Sequence, residues 1–428
     1  MTIPDIVIKN AATIEHNNNV DIAVINDQIE RIDSDIQEGN TMIDATDSFV
    51  SPGLVDPHKH IDRALAGVGD DKPAGNDSAF DWQQIISNER EYYSNLSVDE
   101  LANKSVRNLQ MAVSHGSTYV RSHLSVDNDV LGVDNVRAAV KARERASDLV
   151  DLQLVPGWQP NSIDDSWSIM EEAITIAKSD DIYNSTLLGG SDPASAFGDI
   201  EGTLEQWFST ASEYDIGIDL HINEPGMLGS FTIQRLMDYI NIFDYHGDVT
   251  ATHAYGLAEM PEWRAKELIE RAADVGLGII TCYNSVRPGM PMQLLLTQEG
   301  LSFAHGTDND RDFVLPYGNA NQVEAQLMLV NKLHGTPQWK DPESDYRWLE
   351  SNTGLEQLWS MVTYAGAEIL GIENEYGIEE GNPANIAIFD SPSPQWAIID
   401  NNDPTHVIKD GRIVAKNGEV LPDFQIEL

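Results

Sequence analysis

Between residues 49 and 306 the chain alternates short apolar runs with stretches that carry apolar residues every three or four positions. The apolar runs are 49–58, Thr118–Val126, Val150–Pro156, Ser185–Gly189, Ile216–His221, Val249–His253, Leu277–Tyr283 and Leu301–Gly306. Between them lie Val133–Ala146, Ser166–Ala177, Leu204–Glu213, Phe231–Tyr245 and Trp263–Ala273, which have helical periodicity. Eight strands with helices between them are the count of a (β/α)8 TIM barrel. A doubly wound open sheet is the alternative, but no Gly-x-Gly-x-x-Gly follows the first strand. No internal repeat and no low-complexity linker interrupts the pattern.

The two ends of the chain read differently. Ile6–Ile8, Ala11–Ile14, Val20–Ile25 and Ile29–Ile32 are short strand candidates, with a turn at Asn26-Asp27. Ala384–Phe389 is another, and His406–Val414 reads as a hairpin turning at Asp410-Gly411. Two β-rich ends that flank an α/β middle can pack into one small sandwich. The expected division is a β-sandwich domain from 1–52 and 372–428 and a barrel domain from 53–371. A length of 428 residues suits a barrel of ~250 residues plus a smaller domain.

Catalytic groups of such a barrel sit at the C-terminal ends of its strands. The first strand ends in His58-Lys59-His60, and residues two apart on a strand point to one side. The fifth ends on His221, with Glu224 just beyond; the sixth on His253; the eighth leads to Asp308. A lone strand-end histidine is most often a hydrogen-bonded structural residue, and a lone Asp before Asn is most often a turn or cap. Four strand ends that agree favour a metal site. His58, His60 and His221 would supply three imidazoles at ~2.0–2.1 Å and Asp308 a carboxylate. A divalent ion so held lowers the pKa of a bound water towards ~7. Glu224 lies close enough in sequence to shuttle protons, and His253 can steady the oxygen of the attacked carbon.

Composition narrows the alternatives. The single cysteine, Cys282, excludes an intramolecular disulfide and a multi-cysteine zinc site. Asp and Glu number 70 against 26 Lys and Arg, a net charge of −44, and this field repels nucleic acid and anionic membranes. The acidic residues are spread along the chain and only 11 of the basic residues are Lys, a pattern like that of proteins from salt-loving microbes. No apolar run of about 18 residues and no signal-peptide pattern occurs, so a cytoplasmic protein is expected.

The motifs together resemble the amidohydrolase superfamily and, within it, the cytosine deaminase branch. The resemblance is carried by Pro52-Gly53-Leu54-Val55-Asp56-Pro57-His58-Lys59-His60, His221-x-x-Glu224, Thr252-His253-Ala254, Gly306-Thr307-Asp308-Asn309 with Pro316-Tyr317-Gly318, and Gly381-Asn382-Pro383-Ala384-Asn385. It implies one divalent ion, zinc or iron, because no lysine lies in Ser185–Gly190, where two-metal members carry a carboxylated lysine. It also implies hydrolytic deamination of a cytosine-like or amino-triazine ring. Metal-bound hydroxide would attack the ring carbon, with Glu224 moving the proton, His253 stabilising the new oxygen and Asp308 assisting the departing ammonia or amine. Gln159 would read the ring's polar edge, and Trp158 would stack on the ring or simply pack. Asn309 and Val314 stand where cytosine deaminases carry an acidic residue and a Trp. The run Asp308-Asn309-Asp310-Arg311-Asp312 is more similar to isopropylammelide aminohydrolases. Arg63 occupies the place of a substrate-side Lys in those relatives, or else pairs with Asp62.

The expected partner is a small heterocycle, with no nucleic acid and no membrane, and the expected assembly is a homo-oligomer. His123 is expected to support the ligands from behind; His305 and Cys282 are expected to pack. The loop 66–82 lies on the face that covers substrate in such barrels. A hydrolase of cyclic or acyclic amides shares this scaffold, and a non-catalytic binding barrel is the remaining alternative.

Overall fold

A computed structural model of the chain describes residues 2–66, 82–127, 130–158, 167–179, 185–287, 289–334 and 348–426. The N-terminal strands β1 (Ile6–Ala11), β2 (Val20–Ile25), β3 (Gln28–Asp33) and β4 (Thr41–Asp44) form one sheet in the order β3-β2-β1-β4. Next come β5 (Phe49–Pro52) and then the strands of the middle: β6 (Leu54–Lys59), β7 (Ser117–Val126), β8 (Asp151–Trp158), β9 (Leu187–Ser191), β10 (Gly217–His221), β11 (Val249–Thr252), β12 (Leu277–Cys282) and β13 (Phe303–Gly306). These eight are parallel neighbours in chain order, which is the barrel. β6 and β7 are buried at every position, as expected of strands with helices outside and a packed lumen inside. The closing strands are β14 (Ile386–Phe389), β15 (His406–Lys409), β16 (Arg412–Lys416) and β17 (Glu419–Val420).

β14–β17 join β5 in a second small sheet of order β17-β16-β15-β14-β5. Ile6, Ile8, Ile22, Val24 and Ile43 of the first sheet share one core with Val50, Ile386, Ile388 and Ile408 of the second. This is the sandwich expected from the two chain ends. Its hairpin turns where Asp-Gly predicts: Asp410 and Gly411 have φ of 47° and 69°, the left-handed pair that a two-residue hairpin turn requires.

Two local expectations change. Ala11–Ile14 is not a separate strand; Ala11 ends β1, and Ala12 makes a lone bridge to Phe49. The run 49–58 is two strands in two sheets, since β5 pairs with β14 and β6 with β7. The break falls at Gly53, where a Cβ would lie 2.0 Å from Thr118 Oγ1. Hydrophobicity is continuous across this point because both strands are buried, so periodicity could not reveal the change of sheet.

The helices that matter for the site are α1 (Trp82–Tyr93), α2 (Val98–Ser114), α3 (Asp134–Arg145), α4 (Ser168–Ala177), α5 (Ile200–Tyr214), α6 (Gly226–Phe243) and α7 (Glu262–Val275). α2 starts at a capping box: Ser97 Oγ accepts from Glu100 N while Glu100 accepts from Ser97 N at 2.8 Å. Among the described residues no helix is long and apolar enough to cross a membrane.

The barrel closes between β6 and β13. Asp308 N donates to His58 O at 2.9 Å, and His60 N donates to Asp308 O at 3.2 Å. Between β6 and β7 the register slips from Asp56↔Val120 to Lys59↔Ser122, a bulge around Pro57, which has no N–H to pair. Gly306 permits the close approach at the seam: a Cβ there would lie 2.5 Å from His58 O and 2.7 Å from His58 Cβ. Gly306→Ala is therefore expected to cost about 1–3 kcal/mol by overpacking and to weaken metal binding by displacing His58. Urea unfolding and metal titration check this; an unaltered midpoint would contradict the tight seam.

Candidate active site

The C-terminal ends of β6, β10 and β13 bring four side chains to one point. His60 Nε2 lies 3.3 Å from His221 Nε2 and 3.4 Å from Asp308 Oδ1, and His58 Nε2 lies 3.6 Å from the same oxygen. Four donors placed tetrahedrally at 2.0–2.2 Å from an ion sit about 3.3–3.6 Å from one another. The side chains fit an ion in a second way. His58 is fully buried, yet neither of its ring nitrogens has a hydrogen-bond partner, a costly state unless another ligand is bound.

The protonation states agree. Burial holds the imidazoles of His60 and His221 well below the ordinary histidine range, so both are neutral. Burial would raise the Asp308 carboxyl, but the facing His58, His253 and His60 rings outweigh it and keep the group below the usual range. Neutral imidazoles with an ionised carboxylate are the state that a metal needs. Asn309 Nδ2 donates to Asp308 Oδ1 at 2.8 Å and so orients it. Asp308 has φ 63°, a left-handed backbone held by the seam hydrogen bonds.

His58 also has donor atoms of other groups within 4.8 Å: His221 with His253, His123 with Asp219, and Cys282 with Asp308. Two of these sets are poorer. Asp219 is already occupied by Arg121 at 3.0 Å and Thr252 at 3.1 Å. Burial pushes the Cys282 thiol well above its ordinary range, so it stays protonated. In the set His58, His60, His221 and Asp308, both ring nitrogens of His58 are without a partner, and Asp308 Oδ1 also accepts from Asn309.

His253 follows β11 with φ 71°, and its N–H donates to Ile280 O at 2.8 Å. Its ring centroid is 5.3 Å from those of His58 and His221, and its Nδ1 is 2.8 Å from Ser285 Oγ. Burial lowers its pKa to about 3. The Glu224 carboxylate is buried and fully engaged. Oε1 accepts from Ala194 N and Ser195 N, both at 2.8 Å, and Oε2 accepts from Thr232 Oγ1. Asp192 holds the backbone there, accepting from Asn223 N at 2.6 Å and Glu224 N at 3.1 Å.

The His123 ring packs with its centroid 4.5 Å from that of His58, tilted, and 4.4 Å from that of His221, edge-on, with Nε2 3.4 Å from Asp219 Oδ1. It thus stands behind two of the four. Arg63 is buried beside Glu89, at 3.8 Å, and Ser125 Oγ, at 3.4 Å. Trp158 is the last residue of β8, while Gln159 and most of the loop 66–82 lie outside the described residues. His305 is buried with Nδ1 3.3 Å from Gln322 Oε1.

Sequence reasoning missed several supports. Asp219 and Arg121 each lie two residues before a site histidine on the same strand, so strand periodicity could have found them. Asp192, Ser285 and Lys59 carried no such signal.

Residues 49–414 match the amidohydrolase family. The chain is 35% identical over 419 residues to the N-isopropylammelide isopropyl amidohydrolase of Pseudomonas sp. (strain ADP), covering 97% of this chain and 98% of that protein. Its fold is similar to the crystal structure of N-isopropylammelide isopropylaminohydrolase from Burkholderia multivorans, with TM-score 0.83 at 23% identity over 98% of this chain and 100% of that one. It is also similar to 5-methylcytosine deaminase from Klebsiella pneumoniae liganded with 5-fluorocytosine, with TM-score 0.79 at 20% identity over 96% and 97% of the two chains. This chain belongs to the amidohydrolase family: it is a hydrolase of carbon–nitrogen bonds.

Proposed function

We propose that the protein deaminates a cytosine-like or amino-triazine ring, replacing an amino or alkylamino group by oxygen with one divalent ion, zinc or iron, at the centre. The observation that supports this reading is the approach of His60 Nε2 to His221 Nε2 and of His58 Nε2 and His60 Nε2 to Asp308 Oδ1, at 3.3–3.6 Å. Imidazole and carboxylate donors suit either metal. The bound ion supplies Lewis acidity and lowers the pKa of water towards ~7. The likeness to an isopropylammelide hydrolase over nearly the whole chain supports an N-alkylated amino-triazine as the first substrate to try.

The chain's own residues divide the remaining work. Glu224 takes a proton from the attacking water and passes it to a ring nitrogen. The amides of Ala194 and Ser195 hold its Oε1 fixed while it does so. His253 is neutral, and Ser285 engages its Nδ1, which leaves Nε2 to steady the new oxygen. Asp308 would take the second proton of that water from the new hydroxyl and pass it to the departing nitrogen, so that one water is consumed, the C–N bond breaks and one amine leaves. Arg63, Asn309, Gln159 and Trp158 are assigned to the substrate. The catalytic unit is taken as residues 53–371, with 1–52 and 372–428 as its sandwich.

The test is a panel of amino-pyrimidines and N-alkylamino-triazines, incubated with metal-loaded protein in low and molar salt. Free amine or ammonia is expected together with the oxo ring. Release of a carboxylate without free amine would replace this reading by amide hydrolysis.

A further inference from the structure

A ring nitrogen of His253 lies within 4.8 Å of donor atoms of His58 and His221. The residue can therefore serve the centre in two ways: as a further ligand through a bare nitrogen, or as a hydrogen-bond donor through an N–H. A neutral imidazole carries one ring hydrogen, so the tautomer decides between them. Nδ1 is 2.8 Å from Ser285 Oγ, and the roles within that pair fix where the hydrogen sits. If the hydroxyl donates, the ring hydrogen is on Nε2. If the hydroxyl accepts, the hydrogen is on Nδ1 and Nε2 is bare.

The turn after β12 favours the first arrangement. A second acceptor near the Ser285 hydroxyl is Cys282 O, at 3.4 Å. That carbonyl already accepts from Ser285 N at 3.1 Å and from Val286 N at 2.8 Å, so both of its lone pairs are taken. The hydroxyl is left with the shorter and unshared acceptor, Nδ1, which puts the ring hydrogen on Nε2. Tyr255 adds to this preference. It is 8% exposed, and its ring centroid is 5.5 Å from that of His253. Burial keeps its phenol protonated, and the phenol hydrogen-bonds with Ser285. A phenol that donates to Oγ takes one of its lone pairs and makes the hydroxyl a better donor to Nδ1. Arg287 Cζ lies 4.4 Å from the Tyr255 ring centroid, a cation–π contact that holds the ring in place. The backbone is fixed as well. His253 and Ala254 have φ of 71° and 45°, with His253 N donating to Ile280 O at 2.8 Å and Tyr255 N to Ile222 O at 3.3 Å.

We propose that Ser285, backed by Tyr255, is a positioning residue that fixes His253 as the Nε2–H tautomer, which makes it a donor to the new oxygen and keeps it out of the metal's ligand set. This rests on the role given to His253 above, but its first readout needs no turnover. The zinc-loaded full chain, labelled with nitrogen isotope in its histidine rings, is studied by NMR, and His253 is identified as the signal lost in His253→Asn. The wild type is expected to show a protonated Nε2 and a bare Nδ1. Ser285→Ala is expected to shift the ring towards Nδ1–H and to lower kcat ~10–10³-fold, with KM changed less than about twofold, as for the loss of one oxyanion donor. Ser285→Thr keeps the hydroxyl and is expected to restore the tautomer and most of kcat. Tyr255→Phe keeps the ring and loses the donor, and a fall of about 2–10-fold in kcat is expected, the worth of one neutral hydrogen bond. A loosened fold would alter stability and metal content without selecting one tautomer, so the ring signals separate positioning from structure. An Nδ1–H ring in the wild type, or a Ser285→Ala ring that still carries its hydrogen on Nε2, would overturn the proposal. If Ser285→Ala fails to fold, the wild-type tautomer and the Ser285→Thr ring decide in the same way. The expected tautomers with no amine released from any ring would instead overturn the deamination reading alone.

Discussion

Asp308→Ala protein is expected to be purified without stoichiometric metal and without turnover, whereas Glu224→Gln protein is expected to keep its metal and lose ~10²–10⁴-fold in kcat. The two outcomes follow from different geometry. Asp308 places one oxygen 3.4–3.6 Å from two imidazole nitrogens and is held ionised by the rings around it. Removing it takes the anionic donor from the set and leaves only the three imidazoles. Glu224 is not among the converging donors; its oxygens are taken up by Ala194, Ser195 and Thr232. The carbonyl oxygen of a Gln can still accept from both amides, so the local structure survives, but an amide cannot carry the proton. Metal analysis and steady-state kinetics on both variants check this. Re-adding metal is expected to restore chelator-treated wild type and not Asp308→Ala. A Glu224→Gln variant with undiminished turnover would remove Glu224 from the mechanism.

The second large effect is on stability. Lys59 is fully buried between the two histidines of the motif, and its Nζ donates to Thr307 Oγ1 at 2.9 Å and to Asp310, with Asp56 at 3.7 Å. Asp56 accepts from Thr307 N at 3.0 Å and Asp310 from Ala320 N at 2.9 Å. Burial works against the Lys59 charge, and the two carboxylates outweigh it. One ammonium therefore bolts the first barrel strand to the residues that follow the last. Lys59→Met leaves two buried carboxyls without a counter-charge and is expected to destabilise the protein by about 3–5 kcal/mol. Adding Asp310→Asn is expected to recover part of that loss, because the pair is coupled. Urea midpoints for the single and double variants decide; a change below about 0.5 kcal/mol for Lys59→Met would mean that the seam is held by its backbone alone.

Much of the barrel was legible because its strands are short apolar runs separated by helices with a strong 3.6-residue period. β7, β8, β10, β11, β12 and β13 fall within about two residues of their expected limits. The first strand was read as one run where there are two, since burial on both sides of Gly53 erases any local sign of the change of sheet. The placement of His58, His60, His221 and Asp308 at strand ends could be read in advance, because a parallel barrel turns position along a strand into position in space. The polar groups behind and beside them could not. Lys59 was only the residue between two histidines, and Glu89 sits on a helix whose surface and core faces look alike for long polar side chains.

By itself, then, the sequence determined what local periodicity and composition control: which segments are strands, which are helices, which strand ends carry imidazole or carboxylate, and the −44 charge that sets the protein's relation to salt and polyanions. Tertiary structure alone decided which of those groups face one another and which are occupied elsewhere. Asp219, in the middle of β10, and Asp308, just past β13, are both acids near histidines, yet one is spent on Arg121 and Thr252 while the other meets His58 and His60. The reason is physical. Whether a buried polar atom has a partner depends on contacts between segments tens to hundreds of residues apart, and no local pattern encodes those contacts.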